Sequence, residues 1–248
     1  MSFPAYVRLG PLSLHPHWIF ESLAYAAGIY LYRRLRRRRG DVIELRDRWW
    51  VIAAALVGGL AGSRILSAFE DPVFLAHHWM EPHLLLGGKT IVGGLVGGLI
   101  AVESIKRLRG IRVATGDLLA LPLTLGIAIG RIGCFLSGVE DESYGMATRL
   151  PWGVDFGDGI ARHPTQLYEV IFLTVLGVIL WISPRLATTV GDGFKLFMVG
   201  YLGFRLLVEF IKPGVRVGGL SAIQWVCLAG VAYYAPHVPR LVTEVRRG

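Results

Sequence analysis

Apolar residues along this chain collect into seven long runs, at roughly 18–34, 49–68, 90–106, 117–136, 166–184, 193–211 and 219–235, separated by polar or basic connections. Each run is about 17–21 residues long, the length at which a helix crosses the hydrocarbon core of a bilayer. The pattern predicts an all-α membrane protein, a polytopic bundle of about seven transmembrane helices. The first run is the least regular, because Glu21 sits inside it. No long polar linker divides the runs, so residues 1–248 are expected to form a single integral membrane domain. The longest connection, "SGVEDESYGMATRLPWGVDFGDGIARHPT" (137–165), mixes acidic, glycine and aromatic residues and predicts a small loop or head region at one membrane face.

Composition agrees with that pattern. The chain is 53% hydrophobic and 18% charged, with a mean hydropathy of +0.52, which is too apolar for a soluble domain of this size. The formal net charge of +8 first suggests nucleic acid as a partner, but its distribution points elsewhere. "RRLRRRRGDVIELRDR" (33–48) follows the first run and "KRLRGIR" (106–112) follows the third, whereas 69–89 and 137–165 carry Lys89, Arg149 and Arg162 between them. The positive-inside rule makes the basic connections cytoplasmic, the N-terminus external, the C-terminus internal and the head region extracytoplasmic. No nucleic-acid motif accompanies the basic runs, so nucleic acid is not an expected partner and the membrane is. The N-terminus lacks a basic region followed by an apolar core, so no cleavable signal peptide is expected. Two cysteines, Cys134 and Cys227, lie in apolar runs with no zinc or disulfide spacing, and neither a metal nor a cofactor is predicted. Gly94 and Gly98 in "TIVGGLVGGLIAVE" have the G-x-x-x-G spacing of close helix packing.

The informative residues are ionisable groups inside or beside the runs, where each is a candidate functional group. Arg64 lies in the second run. Arg131 nears the end of the fourth, in "GRIGCFLSG", and Glu169 opens the fifth, behind His163, Gln166 and Tyr168. Arg205 and Glu209 are one turn apart in the sixth, and His17 and Glu21 one turn apart in the first. An internal ion pair is the alternative reading for each pair. The predicted topology nevertheless places these groups at one depth, toward the outer leaflet. A guanidinium cannot shed its charge, and paired arginines at headgroup depth suit a phosphate, which they bind bidentately.

The strings "GRIGCFLSG", "YG" (144–145), "RHPTQLYE" (162–169) and "GFRLLVEF" (203–210) resemble the prolipoprotein diacylglyceryl transferases of bacteria, and the similarity covers nearly the whole chain. The resemblance implies a multi-pass enzyme of the bacterial inner membrane. Such an enzyme moves the diacylglyceryl group of phosphatidylglycerol to the thiol of a lipobox cysteine in a preprolipoprotein and releases glycerol phosphate. It implies that Arg131 and Arg205 hold the phosphate and stabilise its departure, with Glu209 orienting Arg205. Glu169 and His17 are then the candidates for deprotonating the acceptor thiol. Arg64, Lys89, Glu21, Cys134, Ser137, Tyr144, Gly145, His163, Gln166 and Tyr168 are candidates for substrate contact. The chain departs from the family pattern where Val92 replaces a histidine before paired glycines and where Cys134 and Ser137 replace asparagines. It departs again at Val139, which replaces an acid, and His17 stands in place of a first-span tyrosine. These changes leave two rival readings, the same donor with a different acceptor, or a phospholipid-binding protein without turnover.

Overall fold

A computed structural model describes residues 3–9, 12–81, 87–183 and 190–247. Helices occupy all seven apolar runs, although residue 184, which closes the fifth, lies outside the described residues. The principal helices are α1 (Pro16–Arg39), α2 (Leu45–Ala68), the short α3 (Pro72–His78), α4 (Ile91–Leu108) and α5 (Asp117–Ser137). They are followed by α6 (Thr165–Ile182), α7 (Asp192–Val208), α8 (Ala222–Tyr234) and α9 (Val238–Arg247). Among the described residues, three helical segments are long and apolar enough to cross a membrane, at Leu45–Ala68, Asp117–Asp141 and Thr165–Ile182. The other runs are shortened or charged. The last turn of α1 carries Arg36–Arg39, α4 contains Glu103, Lys106 and Arg107, and α8 has 13 residues.

Helix ends follow local chemistry. Pro16 sits in the first turn of α1, where its missing N–H has no partner to lose. Thr90 caps α4 by accepting from the Gly93 N–H at 3.2 Å, and its own N–H donates to Ser63 Oγ at 3.0 Å. That second bond ties the cap to α2. Ser221 and Gln224 satisfy each other's backbone N–H groups as a capping box on α8. At the basic end of the bundle Arg48, 1% exposed, donates to Asp41 at 2.9 Å and to the Thr115 carbonyl at 3.2 Å.

Packing pairs α2 with α4, α1 with α5, α5 with α6, and α7 with α8. Between α2 and α4 the backbones nearly touch. A Cβ on Gly62 would lie 2.4 Å from the Gly93 carbonyl oxygen, and one on Gly97 would lie 2.4 Å from that of Gly58. The tightest face is thus Gly93 and Gly97. Gly94 and Gly98, read from the sequence as the contact pair, lie on the shoulder of that face, where added Cβ atoms would meet Gly59 O at 3.5 Å and Ala55 O at 3.3 Å. Both glycine pairs have the same spacing in sequence, and only the rotation of α4 distinguishes them.

The fold is not purely helical. Two antiparallel hairpins frame the acidic end, β1 (Val7–Leu9) with β2 (Leu12–Leu14) and β3 (Val154–Asp155) with β4 (Ala161–Arg162). The second belongs to the head region, where Asp155 Oδ1 accepts from the Gly157 and Gly159 N–H groups at 2.8 and 3.0 Å and closes the turn. A 3-10 turn at Gly138–Asp141 leaves α5 through Gly138, whose φ of +66° favours glycine. A Cβ there would also meet Phe3 at 2.6 Å. Tyr144 stacks on Phe156 within the head, and edge and tilted contacts of Phe3 with Phe135 and Phe156 join the head to the end of α5.

Candidate active site

Four buried charges from three helices form one chain of contacts. Arg131, in the last two turns of α5, places Nε 2.9 Å from Glu169 Oε2, in the second turn of α6. Arg205, at the end of α7, places Nη1 3.3 Å from that same oxygen and Nη2 2.8 Å from Glu209 Oε2. Tyr201, one turn before Arg205, donates its hydroxyl to Glu169 Oε1 at 2.6 Å. Arg131 is 9% exposed, Arg205 4%, Glu169 2% and Tyr201 fully buried. The topology read from the sequence expects Arg131, Glu169, Arg205 and Glu209 at one depth, and the structure joins the two arginines through Glu169.

Two guanidiniums and two carboxylates balance each other, which makes the cluster tolerable in an apolar bundle. It is not saturated. Arg131 Nε and Arg205 Nε have no aligned hydrogen-bond acceptor, and both ends of the Gln166 amide, 1% exposed, are unpartnered among the described residues. Buried polar atoms are rarely left so.

Two further charged groups adjoin the cluster. Lys212 follows the sixth run, and its amine is lowered to about 8 by burial first and then by the positive charges of Arg205 and Arg131. Glu70, just beyond α2, accepts from Ser67 at 3.4 Å and is raised by burial and by the charge of Glu209. Sequence reasoning missed Tyr201, Lys212 and Glu70. Tyr201 had a signal, since Tyr201, Arg205 and Glu209 repeat every four residues on one helical face.

A second group forms where α1 meets the end of α5. Arg131 Nη1 lies 3.9 Å from Cys134 Sγ. His17 faces Asp141 through Nδ1 at 3.4 Å and Glu21 through Nε2 at 3.6 Å. The candidate ligand atoms of His17, Cys134 and Asp141 all lie within 4.8 Å of one another. No metal spacing was visible because His17 is far in the chain from Cys134 and Asp141, which it meets through the α1–α5 contact and the Gly138 turn. Glu21 also accepts from Tyr25 at 3.1 Å and lies 3.9 Å from Lys89 Nζ.

The remaining candidates lie apart from the arginine chain. Arg64 donates to the Gly87 and Gly88 carbonyls at 3.0 Å, and so is held against the segment preceding α4. Ser137, 1% exposed, returns its hydroxyl to the Gly133 carbonyl at 2.8 Å, an ordinary backbone bond within α5. Tyr144 lies under the Arg162 guanidinium at 4.8 Å. Gly145 donates to the His163 carbonyl at 2.9 Å, a bond within the head region. His163 and Trp152 both meet the Tyr168 hydroxyl, at 3.2 and 2.8 Å, in a separate polar chain. Val92, 1% exposed, is packed inside the bundle and offers no proton acceptor.

Comparison with known proteins gives a consistent result. The family model for prolipoprotein diacylglyceryl transferase matches residues 4–236. A protein of Bordetella avium named phosphatidylglycerol–prolipoprotein diacylglyceryl transferase is 32% identical over 239 residues, covering 91% of this chain and 89% of the relative. Relatives of the same name from Geobacter sulfurreducens and Methylococcus capsulatus are 32% and 33% identical, covering 88% and 92% of this chain and 85% and 88% of their own lengths.

Proposed function

The chain belongs to the prolipoprotein diacylglyceryl transferase family, and from that premise we propose that it moves the diacylglyceryl group of phosphatidylglycerol to a lipobox cysteine of a preprolipoprotein. Glycerol phosphate is the second product. The observation that carries this reading is the Arg131–Glu169–Arg205–Glu209 chain, with unpartnered Gln166 one turn before Glu169 on α6.

The chemistry follows from charge. The acceptor sulfur attacks a carbon of the diacylglyceryl group, the carbon–oxygen bond to phosphate breaks, and the phosphate leaves as a monoester with more negative charge than the diester carried. Groups already oriented toward that charge stabilise the transition state more than the ground state. Each guanidinium has five N–H donors, and Glu169 and Glu209 engage only some of them. Glu169 holds both arginines, Glu209 and Tyr201 fix the geometry from α7, and the remaining donors are left for phosphate oxygens. Gln166 supplies a neutral donor beside them, and Lys212 adds positive charge at the rim.

Glu169 is a poor proton acceptor here, since both of its oxygens are engaged. The acceptor thiol is therefore prepared on the other side of Arg131, near His17 and Cys134. An apolar groove of about 650 Å³ is lined by Ile65, Leu66, Phe69, Val96, Trp225 and Val226, among others. We assign it to the acyl chains of the donor. In this reading the seven helical runs form one bacterial inner-membrane unit with the N-terminus and head outside and the C-terminus in the cytoplasm, which the distribution of basic connections supports.

Purified protein in detergent micelles, given phosphatidylglycerol and a lipobox peptide, is expected to raise the peptide mass by one diacylglyceryl group and release glycerol phosphate in equal amount. Arg131→Ala and Arg205→Ala are each expected to lower that rate at least about 100-fold, the scale for losing a preorganised anion donor. Lipid consumption without peptide modification would overturn the acceptor, and no consumption would overturn the reaction.

A further inference from the structure

We propose that His17, Cys134 and Asp141 bind a divalent zinc ion, and that this ion activates the acceptor thiol. The role in activation rests on the transferase reading above; the metal site does not. The three residues supply imidazole, thiolate and carboxylate, donor types that zinc combines. Their ligand atoms lie within 4.8 Å of one another. Donors on a tetrahedral zinc stand about 3.3–3.7 Å apart, from bond lengths near 2.0–2.3 Å, so small side-chain rotations close the site.

The surroundings fit a metal. Asp141 keeps Oδ1 toward His17 while Ser143 donates to its Oδ2, which holds the carboxylate in orientation. With His17 Nδ1 toward Asp141 and the ion, Nε2 faces Glu21 at 3.6 Å. A carboxylate behind a ligating imidazole fixes its tautomer and strengthens it as a ligand. The same geometry argues against His17 as a free base, since a carboxylate faces each ring nitrogen. Charge also closes, because the Cys134 thiolate and Asp141 balance the dication, while the neighbouring Arg131 is paired with Glu169.

Three protein ligands leave a fourth position open, as in catalytic rather than structural zinc sites. An incoming cysteine fits it, and a zinc-bound thiol is deprotonated outright. The proton passes to water, and the zinc-bound sulfur forms the bond to the diacylglyceryl carbon. The carbon–oxygen bond breaks with its electron pair going to the phosphate oxygen, next to Arg131. The ion is neither oxidised nor reduced, and the thioether product, having no negative charge, is a weaker ligand and leaves. Arg131 Nη1, 3.9 Å from Cys134 Sγ, links the thiolate side of the reaction to the phosphate side.

The test uses the full chain in detergent micelles, stripped with a chelator and titrated with Co²⁺. One ion per chain is expected, with an intense sulfur-to-cobalt absorption band that Cys134→Ser removes. His17→Ala and Asp141→Asn are expected to weaken Co²⁺ binding at least about tenfold, and Cys227→Ser to leave the band intact. Stripping is expected to lower lipobox-peptide modification at least tenfold, with Zn²⁺ restoring it. Absence of a Cys134-dependent band would overturn the site. An undiminished rate in stripped protein would overturn the role of the ion while leaving the transferase reading intact. Cobalt binding without turnover in any metal state would overturn the transferase reading, and thiol activation with it.

Discussion

Glu169 has two carboxylate oxygens and three strong partners, and this shared anion decides how the site responds to substitution. Glu169→Gln leaves two buried guanidiniums facing an amide, and breaking a buried ionic network by removing one member costs about 3–5 kcal/mol. The expected outcome is a lower melting temperature in micelles together with loss of transfer, read by thermal unfolding beside the peptide assay. Tyr201→Phe keeps the charges and removes one hydrogen bond to a carboxylate, worth about 1.5–3 kcal/mol. A moderate drop in stability and a several-fold slower rate are expected. Lys212 sets a pH limb. Its amine is held at about 8 by burial and by Arg205 and Arg131, so the ammonium form prevails below that pH and the neutral amine above it. A cation beside the phosphate aids binding, so the KM for phosphatidylglycerol is expected to rise as pH passes upward through 8. Lys212→Met should raise KM at low pH and flatten that rise, whereas a profile unchanged by the substitution would remove Lys212 from the site.

The helices matter through where they approach each other. Four glycines, Gly58, Gly62, Gly93 and Gly97, let α2 and α4 touch backbone to backbone, so any side chain there must push the pair apart. Gly62→Val and Gly97→Leu would each place a carbon about 2.4 Å from a carbonyl oxygen. Overpacking of this kind costs typically about 1–3 kcal/mol. A fall in melting temperature is expected for both, and a smaller one for Gly94→Ala, whose added carbon meets its nearest neighbour at 3.5 Å. Equal effects at Gly94 and Gly97 would contradict the rotation of α4. Tyr201 and Arg205 on α7 and Glu209 in the 3-10 turn that follows form an i, i+4, i+8 series, of which the sequence reading took only the Arg205–Glu209 pair. Its partners on α5 and α6 were legible as isolated charges only, because the pairing depends on how the three helices are turned.

At the scale of the whole molecule, the basic residues lie at one end of the bundle and the site at the other. Arg36 and Arg48 join Asp41, and Arg109 joins Asp47 at 2.6 Å, where α1, α2 and α4 end or begin. The head hairpin, Arg131 and Glu169 belong to the opposite ends of α5 and α6. In a background lacking the two natural cysteines, Asp158→Cys is expected to react with a membrane-impermeant maleimide from outside intact cells. Arg38→Cys is expected to react only after permeabilisation. The reverse pattern would invert the proposed topology and put the head in the cytoplasm.

By itself the sequence determined which segments are helical and apolar, which connections are basic, and that Arg131, Glu169, Arg205 and Glu209 are charges set within or beside apolar runs. These are local quantities, set by run length, by periodicity along one helix and by the penalty for charge in hydrocarbon. The tertiary structure alone decided that Glu169 is common to both arginines and that Gly93 and Gly97 form the contact face. It alone brought His17, Cys134 and Asp141 within coordinating range. Those outcomes depend on the rotation and crossing of helices distant in the chain, which backbone contacts at glycines fix and no local periodicity records.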